Sequence, residues 1–364
     1  MEIGEKYRVI SFAFFVCLVA ALPSACTSGV SDSGILEVVN KIPDSSNPTQ
    51  VEFPLPYEPH YIHAFDLERW LIADHETLWI TSTDGRNWVK TLMPPNVDGK
   101  PVNIHGVSYV LGSQVVVVTD DGLLKSFDYG KTWSEKRPLK LSANAVFFLN
   151  DRIGWVVSTK YSESGMDDAV ADGQTGAVFR TDDGGDTWTE CQILGDLKLS
   201  ASLKNWSLSD IFVRASGQGL AVGDGVILST EDGGITWKSE SVKPYKYFKA
   251  GFSNGVDWVL SAGADFLSIR TKTDKEWRHI EVPRDNRDTI RFVHFIDKDN
   301  IVLAMNNLFR SRDGGRSWKR GEDQHYIFYV EELDRGRLIR LVETKGESIA
   351  QFSDDGGETW VSQS

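Results

Sequence analysis

The chain has 364 residues, 41% of them hydrophobic and 25% charged, with a formal net charge of −13. That acidity opposes sequence-independent attraction to nucleic acid or to an anionic membrane surface, within an otherwise ordinary globular composition. The 32 glycines and 12 tryptophans are the unusual entries, and they predict many tight turns and a recurring packing anchor.

Residues 1–25 read as a signal segment. Lys6 and Arg8 precede an apolar run from Val9 to Leu22, too short to span a bilayer comfortably. The run ends in Leu22-Pro23-Ser24-Ala25-Cys26, which resembles a bacterial lipobox and makes Cys26 the expected lipidation site. Pro23 stands where Leu is usual, with Leu22 one place too early, so an ordinary cleaved signal is the alternative. Loss of residues 1–25 removes two acids and two bases, so the charge stays at −13. Residues 26–58 form the lipidated Cys and a Ser-, Pro-, Asp- and Gly-rich linker. Its one apolar stretch, Ile35–Val39, is either part of the tether or a strand that helps to close the following domain. With Cys17 in the signal and Cys26 at the anchor, Cys191 is the folded part's remaining cysteine. It pairs with no other cysteine within the chain and reads as a packed thiol.

From residue 59 to residue 364 the chain repeats itself. Five segments share Ser/Thr-x-Asp-x-Gly-x-Thr/Ser-Trp: SFDYGKTW from Ser126, TDDGGDTW from Thr181, TEDGGITW from Thr230, SRDGGRSW from Ser311 and SDDGGETW from Ser353. Degenerate copies end at Trp88 and Trp277. The seven tryptophans at 88, 133, 188, 237, 277, 318 and 360 are 40 to 55 residues apart, the period of a propeller blade. Around each box lie short apolar runs separated by Gly/Asp turns, four per repeat, and no long stretch has helical periodicity. The expected fold is all-β, a seven-bladed β-propeller with the boxes as turns between the third and fourth strands of the blades.

The box residues suit such a turn. Asp128, Asp183, Asp232, Asp313 and Asp355 are placed to accept hydrogen bonds from nearby backbone, and the flanking hydroxyls to tie the turn down. Gly130, Gly185, Gly234, Gly315 and Gly357 permit a positive φ. Trp133, Trp188, Trp237, Trp318 and Trp360 are expected to begin the outer strand and bury a ring, each contributing on the order of 2–3 kcal/mol. One copy per blade argues for a scaffold role rather than a calcium or catalytic site, since a single site needs no copy in every blade.

These segments resemble the Asp-box (BNR) repeats of sialidases, sortilin-type receptors, xyloglucan-active glycosidases and the photosystem II stability/assembly factor family. The nearest resemblance is to the last, through Ile153-Gly154-Trp155-Val156-Val157 with Gly176–Thr181, and Gly219–Gly223 with Gly225–Thr230. The resemblance implies structural boxes on the rim away from the binding face. The family name transfers no photosystem role.

On the opposite face, the loops between second and third strands are acidic, at Asp74, Glu76, Asp120, Asp121, Asp224, Asp265, Glu343 and Glu347. The longest of them, about Tyr161 to Gln174, carries Tyr161, Asp167, Asp168 and Asp172 and is the leading recognition element. Its acids lack the ligand density of a calcium loop, so no metal is expected, nor any other cofactor. Basic residues precede several boxes: Lys125, Arg180, Arg270 and Arg310. Arg180, Arg270 and Arg310 are candidate partner-binding residues, the alternative being solvated or carboxylate-paired side chains.

No Ser-His-Asp, HExxH, P-loop or dinucleotide signature is present, and the Phe/Tyr-Arg-Ile-Pro motif of sialidases is missing. The reading is a non-catalytic, lipid-anchored scaffold facing the periplasm or cell exterior. Its partner would be another envelope or periplasmic protein, with membrane contact only through the lipid and no nucleic acid. The alternatives are a glycoside hydrolase of sialidase-like or xyloglucan-active type, with two carboxylates about 5–10 Å apart, and an immunity-type lipoprotein that captures a toxin.

Overall fold

The computed structural model describes Gln50–Val51 and most of residues 61–362; the longest stretches left outside are 1–49, 52–60, 161–174, 196–205, 241–248 and 284–289. The signal, Cys26 and Ile35–Val39 therefore lie outside the described residues, and so do Tyr161, Asp167, Asp168 and Asp172. Every regular element among the described residues is a β-strand.

The strands form seven sheets, each built from neighbours in sequence. From first to last strand they run Tyr61–Ala64 to Trp88–Thr91, Ile104–Tyr109 to Gly122–Ser126, Ala143–Phe148 to Thr189–Glu190, and Leu208–Val213 to Thr236–Ser239. The last three run Lys249–Ser253 to Arg278–Glu281, Phe292–Phe295 to Lys319–Arg320, and Tyr326–Asp334 to Val361–Ser362. Within each sheet these strands are antiparallel hairpin partners, so the repeat of the sequence becomes a repeat of meanders, and the fold is propeller-like.

The second strands are the centre of each repeat. Trp70–Ala73, Val115–Thr119, Gly219–Gly223 and Ile301–Ala304 are buried at every position. A strand covered on both faces reads as a continuous apolar run rather than an alternation, as Val115-Val116-Val117-Val118 does. Each such side chain, wholly removed from water, stabilises the fold by about 1.5–3 kcal/mol.

Consecutive sheets share cores. Leu71 and Ile80 of the first cluster with Val115 and Val117 of the second, whose opposite side chains, Val116 and Val118, pack with Val146 and Phe148 of the third. Val157 and Val178 of the third meet Leu208 and Ala221 of the fourth. The pattern continues through Val222 with Phe266, Ile269 with Leu303, and Val302 with Leu338. Trp70, Ile72, Trp79 and Trp88 of the first sheet cluster with Ile339 and Leu341 of the seventh.

Three features depart from four identical strands per repeat. In the second sheet three strands are described; beyond the third, Ser134 donates its backbone N–H to the Lys125 carbonyl at 2.7 Å and its hydroxyl oxygen accepts from the Lys125 N–H at 3.0 Å, and residues 135–138 lie outside the described residues. Two sheets have a fifth strand on the outer edge. Gln50–Val51 pairs antiparallel with Trp88–Thr91, and Gln192–Leu194, leaving the third sheet, pairs parallel with Thr236–Ser239 of the fourth. Finally, the box tryptophan does not always begin the outer strand. Trp237 lies within it and is fully buried, whereas Trp188, Trp318 and Trp360 precede theirs and are half-buried.

Candidate functional site

The five boxes close in the same way. In the third sheet the Thr181 hydroxyl donates to Asp183 Oδ1 at 2.8 Å and accepts the Gly185 N–H at 2.7 Å. The Thr187 N–H reaches Asp183 Oδ1 at 2.9 Å and its hydroxyl donates to Oδ2 at 2.6 Å. Ser126/Asp128/Thr132, Thr230/Asp232/Thr236, Ser311/Asp313/Ser317 and Ser353/Asp355/Thr359 repeat this lattice.

Hydrogen bonds hold the carboxylates ionised. The Thr187 hydroxyl and amide bring Asp183 down to about 2, and Ser317 does the same for Asp313. At Asp232 and Asp355 burial opposes the charge, but the bonds from Thr236 and Thr359 outweigh it and again bring the value to about 2. Asp128 is lowered in the same sense, against burial, by Thr132. A carboxylate so engaged serves its own turn.

Two consecutive residues in each box are left-handed. The second is Gly130, Gly185, Gly234, Gly315 or Gly357, as expected. The first is also glycine in four boxes, but in the box of the second sheet it is Tyr129, at φ 66°. Tyr129 sits under the Arg69 guanidinium, 4.3 Å from the ring centroid, with Phe65 edge-on at 5.0 Å, so packing offsets the cost of this backbone. At Gly234 the space is closed as well: a Cβ there would lie 2.2 Å from Trp155 Nε1. Its carbonyl accepts from Trp155 Nε1, Trp237 Nε1 and Cys191 Sγ at 3.3, 3.2 and 3.2 Å. Burial pushes the Cys191 thiol up to about 11, which suits a packed thiol and disfavours a nucleophile.

The basic residues before the boxes are drawn into the molecule. Arg180 pairs with Asp182 and lies 5.9 Å from the Trp155 ring; Arg270 reaches Glu240 at 2.9 Å and lies 4.5 Å over Trp277, whose Nε1 donates to the same carboxylate. Arg310 pairs with Glu358 of the seventh sheet at 2.5 Å, with 15% of its side chain exposed. Lys125 is buried. Arg270 and Arg310 thus tie separate segments together through Glu240 and Glu358, while Arg180 is paired within its own box.

The opposite face gathers residues of which the sequence singled out Asp120 alone. Asp120 accepts from Asn103 Nδ2 at 2.7 Å and from the Asn103 N–H at 3.1 Å, and it meets His105 Nε2 at 2.5 Å. Burial raises the Asp120 carboxyl, and these bonds together bring it below its usual value. The Tyr61 hydroxyl of the first sheet donates to the His105 carbonyl of the second at 2.8 Å. Burial, and then the charge of Asp210 in the fourth sheet, push the Tyr61 phenol up to about 12. Asn144 of the third sheet donates to the Leu208 carbonyl of the fourth at 2.8 Å. Tyr61, His105, Asn144 and Asp210 all lie near the starts of first strands, where these bonds join the first sheet to the second and the third to the fourth. The one sequence signal for it was the acidic loop residue Asp120. Among the described residues no group of three or more His, Cys, Asp or Glu is placed to hold a metal ion.

Comparisons with known proteins agree with this geometry. A sequence model of the BNR/Asp-box repeat matches residues 351–362, the last box. A search of curated proteins finds no match. Among solved structures, the chain is similar to YCF48 bound to D1 peptide, with a TM-score of 0.58 and 17% identity over 84% of this chain and 95% of that one. It is similar to YCF48 from Cyanidioschyzon merolae, with a TM-score of 0.59 and 16% identity over 83% of this chain and 97% of that one. An ancestral GH74 enzyme gives a TM-score of 0.57 and 12% identity over 87% of this chain but 47% of the enzyme. The chain thus carries BNR/Asp-box repeats on a fold shared with the YCF48 propellers.

Proposed function

We propose that this chain is a non-catalytic binding scaffold of the assembly-factor type, a closed seven-bladed propeller held at the cell envelope by a lipid on Cys26. It presents the face opposite the boxes, together with the 161–174 loop, to another envelope or periplasmic protein. The observation that carries this reading is the match to YCF48, nearly all of which the chain covers and one structure of which holds a peptide. Closure of the ring is supported by the shared core of the first and seventh sheets, where Trp70 and Phe352 lie 5.0 Å apart. The box carboxylates, engaged in their own turns, support a structural role for the repeats.

The likeness to the GH74 enzyme favours glycan hydrolysis as the second reading, although the chain spans less than half of that protein. One experiment separates the two. The full chain is expressed in a bacterial host, cross-linked in living cells and purified, beside a variant in which residues 161–174 are replaced by a Gly/Ser segment of equal length. A specific protein partner that is lost from the variant supports the scaffold. Turnover of an envelope glycan that disappears on replacing one carboxylate overturns it. Capture of a delivered toxin would place the scaffold in the immunity class. Cys26→Ser is expected to move the protein out of the membrane fraction; unchanged fractionation would refute the lipid anchor.

A further inference from the structure

The sixth sheet differs in charge from the third and the seventh. From Leu308 to Arg320 it carries five cations, Arg310, Arg312, Arg316, Lys319 and Arg320, and one carboxylate, Asp313. The corresponding stretch of the third sheet, Val178 to Glu190, has one cation and four carboxylates, and that of the seventh, Ala350 to Ser362, has three carboxylates and no cation. In a chain of net charge −13, this is a local reversal of sign.

The fold turns that composition into a surface. Arg310 is covered and paired with Glu358, while Arg312, with 79% of its side chain exposed, shares the same carboxylate at 3.0 Å. Arg320 is exposed and donates to Asn307 Oδ1 at 2.7 Å. Arg316, on the box turn, and Lys319, on the outer strand, are exposed and have no carboxylate partner among the described residues. Trp318 Nε1 donates to the Glu281 carbonyl at 3.0 Å, which joins this turn to the outer strand of the fifth sheet, where Arg278 is exposed too. Exposed Glu281 borders the patch there, and Glu322 and Asp323 follow the outer strand in sequence.

We propose that the outer rim of the sixth sheet, centred on Arg316 and Lys319, is a docking surface for an acidic stretch of a partner polypeptide. The proposal rests on the scaffold reading in taking the ligand to be a polypeptide. Charge complementarity selects an acidic ligand, and screening selects a short one. At physiological ionic strength a charge is felt over about 8 Å, so a peptide laid on the patch senses these cations and the few carboxylates that border them rather than the net charge of the whole molecule. A broad anionic bilayer would meet the whole acidic molecule. The outer edge of a sheet is also where this chain already accepts extended segments, at Trp88–Thr91 and Thr236–Ser239.

The test uses the full chain and a labelled poly-glutamate peptide of about ten residues, with binding followed by fluorescence anisotropy. Arg316→Glu with Lys319→Glu is compared with Lys100→Glu with Lys131→Glu, which changes the net charge equally at exposed positions in and before the second sheet. Matching thermal midpoints establish that both variants fold. Expected is a loss of about tenfold or more in the first variant and less than about twofold in the second, with wild-type binding abolished near 0.5 M salt. Equal losses in both variants, or no binding by the wild type, overturn the proposal. Binding to phosphatidylglycerol vesicles through Arg316 and Lys319 without peptide binding overturns it in favour of a membrane. A partner captured in cells and retained by the first variant sinks the docking surface while leaving the scaffold reading intact. Peptide binding through the patch with no partner in cells does the reverse.

Discussion

The boxes of the third and sixth sheets use the same turn for opposite surfaces. Thr181, Asp183 and Thr187 are joined by bonds of 2.8, 2.9 and 2.6 Å, and Ser311, Asp313 and Ser317 by bonds of the same lengths. Around that lattice the variable positions are Asp182, Gly184 and Asp186 in one box and Arg312, Gly314 and Arg316 in the other. The turn is thus indifferent to the charge it displays. Its hydrogen bonds close within eight residues, whereas the side chains of Asp182, Asp186, Arg312 and Arg316 are exposed. Conserving the first leaves the second free to carry recognition.

The comparison can be broken most severely at the second box glycine. Both are left-handed, but a Cβ on Gly185 would meet Leu123 Cδ1 at 3.3 Å, while one on Gly315 would meet Ile280 Cγ2 at 2.3 Å. Gly185→Ala is expected to cost about 1–2 kcal/mol, the backbone strain alone. Gly315→Ala adds overpacking and is expected to cost about 2–5 kcal/mol. Urea unfolding midpoints check this, and equal losses would show that Ile280 yields freely.

Removing the first hydroxyl should affect both boxes alike. Thr181→Val and Ser311→Ala each delete a donor to the Asp and an acceptor for a glycine N–H in a buried position. A loss of about 1–3 kcal/mol is expected for each. A difference larger than that range between the two would mean that the surrounding charges, not the turn, decide its stability.

Acid offers a gentler test. Asp183 and Asp313 titrate near 2 in the folded chain, below the ordinary carboxyl value of 3.8. The unfolded chain therefore binds the proton first, and the stability from each box is present above about pH 4 and lost as pH falls toward 2. Because the cause is hydrogen bonding, carboxyl NMR titrations should give similar values in the acidic third box and the basic sixth. Separation by more than about one unit would assign the shift to surface charge instead.

The smallest effect is expected for the display positions themselves. Arg316→Glu should change the unfolding free energy by no more than about 0.5 kcal/mol, because the side chain is exposed. A larger loss in a thermal melt would make Arg316 part of the turn's architecture.

Much of the fold was legible because the box is local. The copies at blade spacing located the third-to-fourth-strand turns of the third, fourth, sixth and seventh sheets, and the central apolar runs located the second strands. Less legible was the first left-handed position, where glycine appears in four boxes and Tyr129 in the remaining one, because the shared pattern leaves that position open. The local pairing of Ser134 with Lys125, through its N–H and its hydroxyl oxygen, was not legible either, because no box position specifies it. The cations before the boxes were visible, but their carboxylate partners, Glu240 for Arg270 and Glu358 for Arg310, come from outer or adjacent segments that no spacing rule connects.

The sequence alone determined the all-β repeat, the period and the chemistry of each turn, since these depend on contacts between residues two to four apart. Only the tertiary structure decided which outer edges receive a fifth strand, which arginines are covered, and that Tyr61 meets His105 and Asn144 meets Leu208 across neighbouring sheets. Those outcomes depend on segments tens of residues apart being brought together by the packing of whole sheets, and that packing is fixed by buried apolar area, which has no direction or address in the sequence.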